Sequence, residues 1–256
     1  YDGSSRFVED LRWGFFPSLS AGWIVSREEF LRNNEILTYL KLRGSWGQVG
    51  NQNVGFYPFA STLSQGTYFF NGLPQRTVAL GGAANRELTW ETKETLNIGL
   101  EGSIFSNLLE FEIEYFNEET SDILLRLPLP TTFALTAPVQ NAGIVANRGW
   151  ELELNHRNTI GSFNYGISFN VSDARNEVLD MGGISPRISG NTITEEGFSL
   201  NEWYGLESDG FFQTQEEVEN HAFQNPQTSP GDIRFIDQNG DGVINSEDRV
   251  RLGKSD

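Results

Sequence analysis

The 256-residue chain contains no cysteine and only two histidines. Without thiols it can carry neither a disulfide scaffold, nor a thiolate nucleophile, nor a Cys-ligated zinc or iron–sulfur centre. His156 and His221 stand far apart, each without a His or Cys neighbour. A His-rich metal site or a Ser/His/Asp triad therefore has little to build on. Basic side chains are scarce as well, 18 Lys and Arg against 35 Asp and Glu, for a formal charge of −17. Scattered Lys and Arg on so acidic a chain exclude a nucleic-acid binder, which needs a basic stripe. No apolar run approaches the ~20 residues of a spanning helix. A spanning β-barrel stays open, because its strands need only ~9–11 residues of alternating character. The chain begins at Tyr1 without Met or a signal peptide, and reads as an internal piece of something longer.

Glycine (27) and aromatics (6 Trp, 7 Tyr, 19 Phe) are plentiful in a chain that is only 38% hydrophobic. That is a composition for strands and turns. Period-two alternation bears this out in six segments: Phe15 to Ile24, Tyr39 to Gly47, Leu96 to Phe105, Leu109 to Tyr115, Trp150 to Asn155 and Phe163 to Ser172. In the sharpest, Leu109, Phe111, Ile113 and Tyr115 oppose Glu110, Glu112 and Glu114. Each such segment predicts a strand with one apolar and one polar face.

The connections alternate in length. Ser26 and Glu29 are spaced as a capping box for one short helix between the first two strands. Ser106 with Asn107, and Asn158 to Gly161, predict tight turns. Val49 to Lys93, Glu119 to Asn147 and everything after Asp173 are long. All short connections thus fall at one end of the strands and all long ones at the other, as in membrane β-barrels. Trp23, Trp46, Tyr115, Trp150 and Tyr165 sit near strand ends, where interfacial girdles would place them, and His156 is expected at the same level. These signs favour a transmembrane barrel over a soluble antiparallel sandwich, whose strands alternate equally well.

One chemical motif stands out. In the run Asp237 to Asp248, oxygen donors occupy loop positions 1, 3, 5, 9 and 12: Asp237, Asn239, Asp241, Asn245 and Asp248. Val243 at position 7 can add its carbonyl, Gly242 permits the sharp turn, and Ile244 supplies an inward apolar anchor. A hard cation such as calcium takes six to eight oxygens, and this spacing offers nearly that set. Position 12 is Asp rather than the longer Glu, so the loop is nearer to dockerin calcium loops than to a paired EF-hand; the alternative is an Asp/Asn/Gly-rich turn without metal. Bound calcium would be structural, a staple for a long loop.

Two further groups have functional and plain readings. The acidic rows Glu110, Glu112, Glu114 and Glu151, Glu153 could pair for glycoside hydrolysis, but on a wet barrel interior, shared with Lys41 and Arg43, solvated carboxylates suffice. Tyr68, Phe69 and Phe70, and Trp203 with Tyr204, are candidates for stacking against a sugar ring; alternatively they only pack their loops. Thr214 with Glu217 predicts a capping box for a short acidic helix.

Several stretches resemble the SusC/RagA-type TonB-dependent outer-membrane transporters of Bacteroidota: YDGSSRF with RWGFFPSLSAGW (Tyr1 to Trp23), YLKLRGSWGQVGNQ (Tyr39 to Gln52), LTWETKETLNIGLEGSIFSNLLEFEIEYFNEETSDILL (Leu88 to Leu125), NAGIVANRGWELELN (Asn141 to Asn155), WYGLESDGFFQTQEEV, and PGDIRFIDQNGDGVINSEDRVRLG. The resemblance implies a 22-stranded barrel in the bacterial outer membrane and a plug, absent from this chain, through which TonB delivers energy. It also implies a SusD-like surface lipoprotein as partner, import of oligosaccharides or peptides, and no enzymatic step. The expected fold is therefore all-β, an antiparallel transmembrane β-barrel section of about six spanning strands with long extracellular loops. Residues 1–172 would hold the strands, facing outer-membrane lipid, and 173–256 a loop region containing the calcium-type loop 237–248. The competing expectation from another class is a secreted glycan-binding β-sandwich for adhesion with a dockerin-like loop.

Overall fold

The computed structural model describes residues 1–126, 132 and 136–254. They form two compact units, Tyr1–Ile184 and Ser185–Asp256. In the first, six strands pair antiparallel, each with the next in sequence: β1 (Ser18–Trp23), β2 (Leu37–Asn51), β3 (Glu91–Ile104), β4 (Leu109–Ser121), β5 (Ile144–Ile160) and β6 (Phe163–Asp180). They coincide with the six alternating segments. Five, β2 to β6, outrun their segment at the loop end, where apolar and polar residues no longer alternate strictly and the pattern stops marking a strand. For the same reason β6 continues to Asp180, and the two units divide at Ile184/Ser185 rather than at the 172/173 boundary read from the pattern.

The turns are built by local chemistry. Phe105, Ser106 and Asn107 all adopt positive φ in the β3–β4 turn, which takes four residues rather than the two expected. The Asn107 side chain is tied down there, its Oδ1 accepting from the Ser103 hydroxyl at 2.8 Å. Gly161 and Ser162 alone connect β5 to β6, since Asn158 and Thr159 already belong to the ladder. The capping box expected at Ser26 does not form. Residues Val25–Arg27 make one 3₁₀ turn without a side-chain cap, and the nearby Glu28 carboxylate accepts from the Trp23 indole at 2.9 Å instead.

Of the long connections, residues 52–90 contain a hairpin, Leu63–Phe70 with Leu73–Leu80, that the pattern reading missed. Its signal was present: Asn71-Gly72, both at positive φ (50° and 76°), is the type I′ turn that suits the twist of paired strands. The middle of the connection expected from Glu119 to Asn147, residues 127–131 and 133–135, lies outside the described residues. Near the loop-side strand ends, Phe7, Val54, Leu88 and Trp90 form a buried cluster, with Leu11, Phe16, Leu124 and Val139 packed against it. The Trp90 indole N–H donates to the Arg12 carbonyl at 3.2 Å, so burial leaves its polar atom satisfied.

The second unit contains a four-stranded sheet of Arg187–Ser189, Thr192–Thr194, Glu202–Leu206 and Arg249–Gly253, plus the pair Ser208–Phe211 and Ile233–Phe235. Helix α1 (Gln215–Asn220) starts at the expected cap, Thr214 accepting from the Glu217 amide at 3.2 Å.

The apolar face of the six-stranded sheet is exposed. Trp23, Leu42, Leu100, Ile113, Leu152 and Val171 lie in one cross-strand row. Ile113 is 44% exposed, and Ile167 nearby 62%. A sandwich would bury this face against a second sheet, so that expectation fails. The upper edge of the apolar band is oblique. Its last members are Trp46 on β2, Tyr115 on β4, Trp150 on β5 and Val171 on β6, followed outward by Gln48, Asn117, Arg148 and Asp173. Pairing places Trp46 level with Arg175, four residues beyond Val171. Four residues span ~13 Å and four strand spacings ~19 Å, so the edge runs at roughly 35° to the pairing rows. A flat apolar slab meeting strands tilted by ~35–45° leaves that trace. On β6 the band from Phe163 to Val171 covers ~26 Å of strand, or ~22 Å of height at that tilt, close to the ~25 Å of membrane barrels.

Candidate functional site

The opposite face carries the charges. Parity places Lys41, Arg43, Glu101, Glu110, Glu112, Glu114, Glu151 and Glu153 together, and register sets Glu101, Glu112 and Glu153 side by side on successive strands. Like charges in direct register repel. Arg43 offsets this: its guanidinium lies 2.9 Å from Glu101 and 2.5 Å from each of Glu112 and Glu114, while Lys41 reaches Glu101 at 3.2 Å. Hydrolysis is not what this geometry serves. Glu112 and Glu153 are neighbours on one open wall, whereas a glycosidase sets two carboxyls on either side of a bond.

Gly99 makes room for Arg43. A Cβ there would lie 2.7 Å from Arg43 Nε and 2.8 Å from Cζ. Gly99→Val is expected to cost about 1–3 kcal/mol by overpacking. Urea unfolding of Gly99→Val in wild-type and Arg43→Ala backgrounds checks this: the cost should largely vanish in the second, and an undiminished cost would remove Arg43 as the cause.

In the second unit, residues 237–248 form a loop closed by its own side chains. Asp237 accepts from the amides of Gly240 (2.7 Å) and Gly242 (2.8 Å), Asn239 from Asp241 (2.9 Å), Asp241 from Val243 (2.8 Å), and Asn245 from Glu247 (2.7 Å). Gly242 sits at φ +84°, as the turn requires. Ile244, the expected anchor, is buried, and the neighbouring Val243 pairs in parallel with Phe223: the Phe223 amide donates to the Gly242 carbonyl (2.8 Å) and the Ile244 amide to the Phe223 carbonyl (2.9 Å). Among the described residues no three His, Cys, Asp or Glu side chains converge as a ready-made metal cluster. The loop set would add the Asn239 and Asn245 amides and the Val243 carbonyl, so its chemistry is all hard oxygen, as calcium requires.

Asp248 is fully buried and accepts from the amides of Asn245 (2.8 Å), Gln238 (2.9 Å) and Asn239 (3.4 Å). These bonds, led by the one from Asn245, hold its carboxyl below the usual aspartate range. A depressed carboxyl stabilises the fold above its unfolded-state pKa, near 3.9, and that contribution disappears as pH falls through the lower folded value. Thermal midpoints of the second unit, followed by tryptophan fluorescence, should therefore drop steeply below pH 4 in the wild type. Asp248→Asn should start lower at neutral pH and show a shallower acid dependence; parallel curves would refute the assignment.

The candidate stacking aromatics fall into both units. Tyr68, Phe69 and Phe70 are exposed on the first unit's hairpin, but strand alternation turns Phe69 to the side opposite Tyr68 and Phe70. Trp203 and Tyr204 line an open groove of about 750 Å³ with Leu206, Phe235, Arg249 and Leu252. Trp203 is half-exposed, whereas Arg249 covers the Tyr204 ring at 4.7 Å, leaving Trp203 the freer face. At the turn end of the sheet, His156 Nε2 lies 3.1 Å from the Tyr165 hydroxyl, a polar pair at the lower margin of the apolar band.

A tilted antiparallel wall, apolar and exposed outside, charged inside, with long connections at one end, is a section of a transmembrane β-barrel. The family model "TonB dependent receptor-like, beta-barrel" matches residues 1–246, and the chain belongs to that family, in its SusC/RagA-type branch. It is 36% identical over 261 residues to TonB-dependent receptor P26 of Formosa agariphila, covering 98% of this chain and 26% of that protein. Against TonB-dependent receptor SusC of Bacteroides thetaiotaomicron it is 29% identical over 266 residues, covering 97% and 25%. The RagAB peptide importer in its closed-closed state superposes with a TM-score of 0.81 at 23% identity, over 99% of this chain and 27% of that one. The chain thus spans about a quarter of the length of these relatives.

Proposed function

We propose that the chain is a section of the wall of an outer-membrane transporter that imports oligosaccharides or peptides, with no covalent chemistry of its own. The observation that carries this is the oblique apolar band, which fits hydrocarbon on one side of the sheet and water on the other. The remaining wall and the plug would belong to the rest of the full-length receptor, TonB would act through that plug, and a SusD-like lipoprotein would meet the loop side. Trp203, with Tyr204 behind it, and the Tyr68–Phe70 hairpin are the proposed ligand contacts in the loops. Calcium at Asp237, Asn239, Asp241, Val243, Asn245 and Asp248 would brace residues 237–248 as a structural ion. Cells expressing the full-length receptor test the reading: uptake of labelled oligosaccharide or peptide mixtures should require both the receptor and TonB, and fall in Trp203→Ala with surface abundance unchanged. Uptake indifferent to deletion of the receptor would end it.

A further inference from the structure

Lys41, Arg43, Lys93 and Arg157 all fall by parity on the charged inner face of the six strands. The outward face has two basic residues, and they are direct cross-strand partners: Arg148 on β5 and Arg175 on β6. Nothing in the pairing of the sheet favours that arrangement, since like charges in direct register destabilise a ladder. Both are well exposed, at 52% and 72% of the side chain. Their height is specific as well. Arg148 lies one outward step beyond Trp150, about 5 Å above the edge of the apolar band once strand tilt is allowed for. That is the depth of lipid headgroups on the loop side.

The neighbours hold the pair without saturating it. Arg148 Nε donates to Asn117 Oδ1 at 3.0 Å and Nη1 lies 3.8 Å from Glu177; Arg175 Nε lies 3.3 Å from Asp173. Each guanidinium has five N–H donors, so most remain available. We propose that Arg148 and Arg175 clamp the phosphate of an anionic lipid headgroup at the loop-side boundary, an inference that rests on the membrane-wall reading. Two planar forks side by side suit phosphate oxygens, which arginine binds bidentately. An anion between them would also relieve their mutual repulsion, while Asp173 and Glu177 balance the charge when no lipid is present.

The test uses the full-length receptor in detergent with mixed phosphatidylglycerol and phosphatidylcholine, with retained lipid counted by native mass spectrometry. The wild type should retain phosphatidylglycerol on the order of tenfold over phosphatidylcholine, given two arginines partly offset by carboxylates. Arg148→Gln with Arg175→Gln should bring the ratio near unity, the double Lys variant should keep part of it, and the inner-face Arg157→Gln should keep all of it. A wild type without the preference, or a double Gln variant that retains it, overturns the clamp. So does inorganic phosphate displacing no phosphatidylglycerol from the wild type at any concentration while still binding in phosphatidylcholine alone, which would mark a free-phosphate site. If the double Gln variant does not insert, the single variants must each lower the ratio or the clamp fails. A receptor that inserts and shows no preference sinks the clamp alone; one that does not insert sinks the wall reading beneath it.

Discussion

Ile113→Arg should prevent the full-length receptor from folding into lipid bilayers, at a cost of about 2–4 kcal/mol, the range for arginine at the midplane of a barrel's lipid face. Ile113 stands in the middle of the exposed row formed with Leu100 and Leu152, on the side where hydrocarbon would replace water. The matched control is Glu153→Arg, one residue from Leu152 in sequence but on the charged face opposite Glu112. That change should be neutral or mildly stabilising, since it replaces a like-charged neighbour by an opposite one. Refolding from urea into phosphatidylcholine vesicles measures both. Equal penalties would mean that the same medium wets both faces, and the membrane reading would be lost.

Calcium should raise the thermal midpoint of the second unit. At a free concentration one hundredfold above its dissociation constant, a single site contributes about 2.7 kcal/mol. Replacing Asp237 and Asp241 by Ala should abolish the calcium response, because it removes two carboxylates of the donor set while Asp248 keeps its backbone partners. Differential scanning fluorimetry with calcium or with chelator distinguishes the cases. A double variant whose midpoint still climbs with calcium would leave residues 237–248 as a turn held by its own Asn and Asp side chains.

Much of the wall was legible from residue order because alternation reports directly on a sheet with different media on its two faces. Leu109 to Tyr115 against Glu110 to Glu114 located β4 and assigned its faces. The positions of long and short connections followed from the gaps between such runs. Legibility failed where alternation stops. The extension of β6 to Asp180 runs through residues that no longer alternate, polar from Arg175 to Glu177 and then apolar at Val178 and Leu179 on both sides, and the hairpin at residues 63–80 carries a mixed pattern that hid its Asn71-Gly72 turn. At Ser26 the capping-box spacing was present, but the chain makes a single 3₁₀ turn there, too short for a capped helix to develop.

The calcium-type loop shows the same division. Donor spacing, the turn at Gly242 and the anchor at Ile244 are properties of twelve consecutive residues and are readable as such. That Phe223 pairs with Val243 beside that anchor depends on a segment brought in from elsewhere in the unit, whereas the three amides that hold Asp248 come from within the loop itself.

Residue order alone determined which side chains share a face of each strand, because successive residues of an extended chain point to opposite sides. It could not determine which residues of different strands stand level. Register across a tight turn is set by that turn, but β2 and β3, or β4 and β5, are separated by connections too long to transmit it. The folded sheet decided that Arg43 meets Glu112 and Glu114, that Arg148 faces Arg175, and that the apolar band crosses the strands obliquely. All three follow from inter-strand hydrogen bonding, which each chain segment can satisfy only once its neighbours are in place.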